Sequence, residues 1–209
     1  MKKIIITTKA ILFSLICLLL SACAGQNPTP NAQEAITVNH IVIMPVSMVS
    51  KSTTSKSLNI GKSVLSGLIH DYFMGNEKIS ILSEAQAESY KEGNKNDAQQ
   101  IKRIGQRLNA DAVMTWQIRR YEEKDGGDYS VNHPSSVAFS YRLTDIATGK
   151  NLCGNIVDKT QDTLTGNLLS AKKFLHHGGK WISARQLTKE ILNNKLQECS
   201  YLVPTTPPK

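Results

Sequence analysis

The chain has 209 residues, with 25 Lys and Arg against 17 Asp and Glu, a formal net charge of +8 and a pI near 9.3. Its 40% hydrophobic content is moderate and suits one ordinary domain plus tails, with enough apolar side chains for a proper core. The basic excess is too mild to mark a nucleic-acid binder.

The first 23 residues set the location. Lys2, Lys3 and Lys9 form a positive start, and Ala10–Leu20 is an uncharged, mostly apolar run of eleven residues. A charged start, a short apolar run and small residues before a cut make a secretory signal, too short to span a bilayer as a stable helix. Leu20-Ser21-Ala22-Cys23 closes it and resembles the lipobox of bacterial lipoproteins. That resemblance implies that residues 1–22 are removed and that Cys23 becomes a triacylated N-terminus. The mature chain then has 187 residues, 22 basic against 17 acidic, for a net charge of +5. No second apolar run approaches the ~18 residues of a membrane helix, so the anchor is lipid. Residue +2 is Ala24, not the Asp that retains family members in the inner membrane. The expected address is therefore the outer membrane, on its periplasmic face, and export argues further against nucleic acid.

Cys17 leaves with the signal and Cys23 is taken by lipid, so Cys153 and Cys199 remain in an oxidising compartment. They can form a disulfide, or stand as two buried free thiols. Residues 23–39 carry Pro, Asn, Gln and Thr and read as a lipidated N-terminus with a flexible tether. The sixteen residues Ala24–Asn39, fully extended, span roughly 50 Å, which keeps the folded body near its membrane.

The body is expected over residues 40–203. His40–Val46 is a β-branched apolar run, a strand covered on both faces, with Pro45 expected near its end. Gly61, Val64, Leu65, Leu68, Ile69 and Tyr72 recur at helical spacing behind Ser57 as N-cap, with Gly75 as the stop. A short strand follows over Lys78–Leu82, then a brief helix opened by a Ser83/Gln86 capping box. The next helix runs from Asp97 to Asn109 with Ile101, Ile104 and Leu108 inward, and Ala112–Tyr121 is a strand. Glu122–Pro134 reads as a polar loop. Val137, Phe139, Tyr141 and Leu143 share one face of a strand, with Leu152, Ile156 and Cys153 filling its partner across a turn at Asp145–Lys150. Residues 161–203 read as a helical C-terminal extension, one helix over Leu164–Leu175 and a second from a Ser183/Gln186 capping box to about Cys199. A loose tail over 204–209 ends the chain.

This order gives an α/β fold: helices packed on a mixed sheet of about five strands, with a late antiparallel hairpin and C-terminal helices added. Ile41–Val46, Lys78–Ser83, Ile104-Gly105 leading into Asn109–Met114, and Tyr141–Lys150 occur in the order of one known domain. It is the domain of the curli-export lipoprotein, the penicillin-binding-protein activator lipoproteins and the Tol propeller protein's N-terminal domain, and residues 40–160 resemble it. The resemblance implies an envelope protein, with a homo-oligomer as one possible form.

Signals for chemistry are sparse. Gly61-Lys62-Ser63 lacks the glycine five positions earlier that a phosphate loop needs, because Lys56 stands there. His176-His177 has no Cys, Asp or Glu at ligand spacing, so no metal or other cofactor beyond the lipid is expected. No Gly-x-Ser-x-Gly elbow occurs, and Cys153 has no base nearby in sequence, so no catalytic residue is expected. The segment Thr163–Lys189 carries Lys172, Lys173, Lys180, Arg185 and Lys189 beside Trp181, with no acidic residue. Such a segment can form a face for anionic headgroups or an acidic partner, or it can be a core tryptophan among solvated lysines.

The functional expectation is an outer-membrane-anchored periplasmic lipoprotein acting as a non-enzymatic scaffold or accessory subunit, its partner an unidentified envelope protein. The alternatives are an activator of a peptidoglycan synthase, which the short tether disfavours, and a ring-forming component of an export apparatus. For the latter, Glu122–Pro134 and Val46–Lys56 are too short to supply membrane strands.

Overall fold

A run of β-branched residues forms an interior strand of the sheet. Strand β1 (Ile41–Met48) begins with Ile41, Val42 and Ile43, none more than 1% exposed. The computed structural model describes residues 36–49, 56–90, 97–161 and 178–202. The chain divides into two units, Met1–Ile36 and Thr37–Lys209, and the elements below belong to the second. The signal, Cys23 and the tail over 204–209 lie outside the described residues, as does the helix expected over Leu164–Leu175.

The elements follow as α1 (Lys56–Phe73), β2 (Ile79–Ile81), α2 (Glu84–Ser89), α3 (Asp97–Arg107) and β3 (Ala112–Glu122). Next come β4 (Asp125–Gly126), β5 (Val131–His133), β6 (Ser136–Asp145), β7 (Asn151–Thr160) and α4 (Ala184–Gln197). The main sheet has the order β2-β1-β3-β6-β7. β1 pairs parallel with β2 and β3, and β6 runs antiparallel to β3 and β7, so the sheet is mixed and the late hairpin is β6–β7. This is the α/β architecture the element order predicts.

The two sheet faces are covered differently. On one face Trp116, Ile118, Phe139, Tyr141 and Leu143 point toward α1 and α4, all 5% exposed or less. The Tyr141 hydroxyl donates to the Lys195 carbonyl of α4 at 2.6 Å, and the Trp116 and Tyr141 rings lie 5.0 Å apart. Gly61 lets α1 approach this face: a Cβ there would stand 2.4 Å from Tyr121 Cβ. On the other face α2 and α3 cover only one corner, where Val42, Leu82, Ile104, Ala110, Val113 and Ile146 form a cluster. The remainder of that face, toward β7, carries polar side chains such as Gln117 and Arg142, with Ile156 exposed among them.

Local chemistry explains the element ends. Gly75, at φ +81°, and Asn109, at φ 49°, turn the chain out of α1 and α3 in the left-handed conformation that favours these residue types. Ser83 and Gln86 form the complete capping box of α2. The β6–β7 turn closes on Asp145, whose Oδ2 accepts from the Thr148 N–H at 2.7 Å and from the Thr148 hydroxyl.

Four readings change. Pro45 lies inside β1, at an irregularity in the β1–β3 register between Ile43 and Val46. β2 has already stopped, its last partner being Ile43, so the missing N–H breaks no ladder on that side. The supposed polar loop Glu122–Pro134 contains the β4–β5 hairpin. α1 starts at Lys56, which places Ser57 inside it. Ile156 does not fill the buried face: it pairs with Ser140 and is 72% exposed. Side chains alternate along a strand, so Cys153, opposite Leu143, and Ile156 take opposite faces.

Candidate docking face

The sequence-predicted basic face falls where α4 begins. Ser183 is its N-cap, and its hydroxyl oxygen accepts from the Gln186 N–H at 3.2 Å. The second half of a capping box is replaced: the Gln186 amide donates to Glu190 at 3.2 Å. The next N–H in, that of Ala184, donates to Glu123, 3.0 and 3.2 Å from its two carboxylate oxygens. A carboxylate at this place offsets the positive end of the helix dipole.

The strap before α4 is pinned from several sides. Trp181 N–H donates to the Asp128 carbonyl at 2.7 Å, and Lys124 Nζ donates to the Trp181 carbonyl at 2.8 Å and pairs with Asp128 at 2.6 Å. Buried Ser135 donates to the Ile182 carbonyl at 2.7 Å. The Gln161 side chain accepts from Ile182 N–H at 3.0 Å and donates to the Lys180 carbonyl at 3.3 Å. The β4–β5 hairpin and the strap therefore form one hydrogen-bonded ledge. Glu123, Gln161 and Ser135 carry no motif, and nothing in sequence brings them to residues 180–184.

Of the predicted residues, Lys180, Arg185 and Lys189 are exposed, the last two one helical turn apart. Trp181 is 8% exposed, so its indole belongs to the interior and not to the face. The exposed aromatic is Tyr129, at 73%, with Lys180 Nζ 5.5 Å from its ring centre. Beside it, the hydrogen bond and charge of Lys124 hold Asp128 below the usual carboxylate range, with a smaller contribution from Lys180. Lys172 and Lys173 lie outside the described residues. What the structure brings together here is Lys180 over the exposed Tyr129 ring, beside the Lys124–Asp128 ion pair.

Cys153 and Cys199 are joined as a disulfide. Gly61-Lys62-Ser63 lies within α1, and Lys62 reaches Glu84 at 2.6 Å. Among the described residues no group of three His, Cys, Asp or Glu is placed to hold a metal. His40 ties strand starts together: one ring nitrogen lies 3.2 Å from the Asn109 carbonyl and the other 2.9 Å from Ser80 Oγ. Asp111 accepts from the Asn39 and His40 N–H groups at 2.7 and 3.0 Å. A shallow groove of about 730 Å³ runs between the end of α1 and β2, lined by Phe73, Met74, Ile79 and Ile81. Among the described residues no helix is long and apolar enough to cross a membrane.

The fold defines an α/β protein with a mixed five-stranded sheet. No family model and no curated protein matches the chain. Solved structures of similar fold include the PelC dodecamer from Paraburkholderia phytofirmans, 13% identical with a TM-score of 0.39, covering 74% of this chain and 86% of that one. The LpoB C-terminal domain from Escherichia coli is 12% identical, with a TM-score of 0.39, and covers 61% and 87%. Lipoprotein GNA1162 from Neisseria meningitidis is 16% identical, with a TM-score of 0.37, and covers 68% and 95%.

Proposed function

We infer that the chain is a lipid-anchored periplasmic scaffold or accessory subunit of an envelope assembly, held at the outer membrane through Cys23. The observation that carries this reading is Leu20-Ser21-Ala22-Cys23, closing a charged start and an apolar run, with a short polar segment before the folded body. One acyl chain binds a membrane only reversibly, whereas several hold a protein in place. The body behind the anchor offers cationic groups, Lys180, Arg185 and Lys189, for a partner to meet.

The test is Cys23→Ser, followed by membrane fractionation and labelled-palmitate incorporation in cells. Loss of label and release from the outer membrane are expected. Retention of both by the variant would overturn the reading. For the partner-facing part, Lys180→Glu with Arg185→Glu and Lys189→Glu is expected to reduce cross-linking to envelope proteins in whole cells, and unchanged cross-linking would exclude that ledge.

A further inference from the structure

Among the described residues, α2 and α3 cover only part of the sheet face opposite α1 and α4, and the rest of that face has a consistent chemistry. The register places Thr115, Gln117 and Arg120 of β3, Arg142, Ser140 and Ala138 of β6, and Gly154, Ile156 and Asp158 of β7 on this face in three cross-strand rows. Their neighbours along the strands, Trp116, Phe139, Tyr141 and Leu143, are buried on the other side. Arg142, Gln117, Gly154 and Ile156 are exposed. Arg119, at the register irregularity between Ile118 and Arg120, is exposed as well.

Charge on this face is one-sided. Arg120 crosses the row of Ala138, donates to Ser136 Oγ at 2.7 Å and pairs with Asp158, so the face's one carboxylate among these rows is already used. Arg119 has only a long contact, 3.5 Å to the Val157 carbonyl. Arg142 makes no ion pair among the described residues. Guanidinium groups are planar forks that take carboxylates through two parallel hydrogen bonds and lose less hydration on contact than ammonium groups do. Ile156, 72% exposed in the row next to Arg142, adds an apolar anchor that a headgroup or polyphosphate would leave unused. β7 ends the sheet, and among the described residues only β6 pairs with it. An extended chain can therefore align along it.

We propose that this open face of β3, β6 and β7 is a docking surface for an acidic, extended segment of a partner protein, its carboxylates on Arg119 and Arg142 and an apolar side chain on Ile156. The proposal goes beyond the anchored-scaffold reading and does not rest on Cys23, because the face lies within the folded body.

The experiment uses the full chain purified in mild detergent, lipidated or not, and a short fluorescein-labelled peptide that alternates Glu with Ile and Ser, followed by fluorescence anisotropy. Binding that weakens with salt is expected. Arg119→Glu with Arg142→Glu should weaken it by about tenfold or more, since charge reversal at a docking face adds repulsion to lost attraction. Ile156→Ser should weaken it severalfold, and Asp158→Asn, which releases Arg120, should tighten it. Arg119→Gln with Arg142→Gln, changes at exposed positions that keep hydrogen-bonding capacity, covers the case of a poorly folded double reversal and should weaken binding to a lesser degree. Lys180→Glu with Arg185→Glu should leave it unchanged, which separates this face from the ledge. The proposal is overturned by equal affinity in the Arg119/Arg142 variants. It is also overturned if phosphatidylglycerol vesicles bind the chain through the same arginines while the peptide does not. A self-association that Arg142→Glu abolishes, with no peptide binding, would give the face to a second copy instead.

Discussion

Cys153 of β7 and Cys199, just past the end of α4, are joined across the buried side of the sheet, 46 residues apart in sequence, with their Cα atoms 5.9 Å apart. Cys199 is 1% exposed. Beside it the Asn155 amide donates to Glu198 at 3.4 Å. The bond thus fixes the last helix to the sheet's edge strand, and so holds the strand that borders the open arginine face.

Reduction should therefore matter. Cross-linking a loop of this length stabilises a fold by about 4 kcal/mol in the chain-entropy model, by restricting the unfolded chain. Urea denaturation of the wild-type protein should show a lower midpoint in reductant, whereas Cys153→Ser with Cys199→Ser should start low and not respond. Coincident curves for wild type with and without reductant would show that the bond contributes nothing to stability.

Two glycines of α1 should respond in opposite ways to the same substitution. A methyl at Gly61 would meet Tyr121 Cβ at 2.4 Å and Cγ at 2.6 Å, and Ile118 Cδ1 at 2.8 Å. Tyr121 Cβ and Cγ are rigid parts of a buried side chain, so Gly61→Ala should destabilise by about 1–3 kcal/mol through overpacking. Gly67 has nothing within 4 Å of the added atom. Gly67→Ala should stabilise by about 0.5–1 kcal/mol, by removing backbone freedom from the unfolded state. Thermal melts of the pair decide it, and shifts of the same sign would contradict the packing described.

Glu123 should prove structural in a place that looks like a surface loop. Its carboxylate takes the Ala184 N–H and faces the Ser135 hydroxyl at 3.4 Å. Glu123→Ala removes a charged cap and should cost about 1–2 kcal/mol. Amide hydrogen exchange should quicken over the first turn of α4 before the rest of the helix. Uniform exchange along α4 in this variant would mean that the cap does not hold the helix start.

The parts of this fold that sequence made legible share a cause: their signals are local and periodic. β1 shows as a β-branched run, α3 as apolar residues at helical spacing, and the late hairpin as the Val137-to-Leu143 alternation closed by Gly149. What stayed hidden depends on pairing between distant residues. The exposed position of Ile156 follows from the register opposite Ser140, and composition does not reveal parity. β4 and β5 have two and three residues, too short for a pattern. The ledge depends on Glu123, Ser135 and Gln161 reaching residues 182–184, contacts no spacing rule anticipates. The same holds for the arginine face, since Arg119, Arg120 and Arg142 come from two strands and become one surface only in register.

Alkaline stability offers a last test, centred on Tyr141. Its ring is 5% exposed, and burial, with the nearby Glu198 and Tyr72 adding to it, pushes the phenol up to about 12. In the unfolded chain a tyrosine titrates near 10. The folded state therefore holds the proton more tightly, so stability should be level below about pH 10 and fall between about pH 10 and 12. Burial raises Tyr72 and Tyr121 too, and they add to the same fall. Tyr141→Phe deletes the donor to the Lys195 carbonyl and should cost about 1 kcal/mol near neutral pH. It should also make the alkaline decline shallower, because one raised group is gone. Urea midpoints across this range, measured in the Cys153→Ser, Cys199→Ser background to keep disulfide exchange out, provide the comparison. An equally steep decline in the Tyr141→Phe protein would remove Tyr141 as a source of the pH dependence.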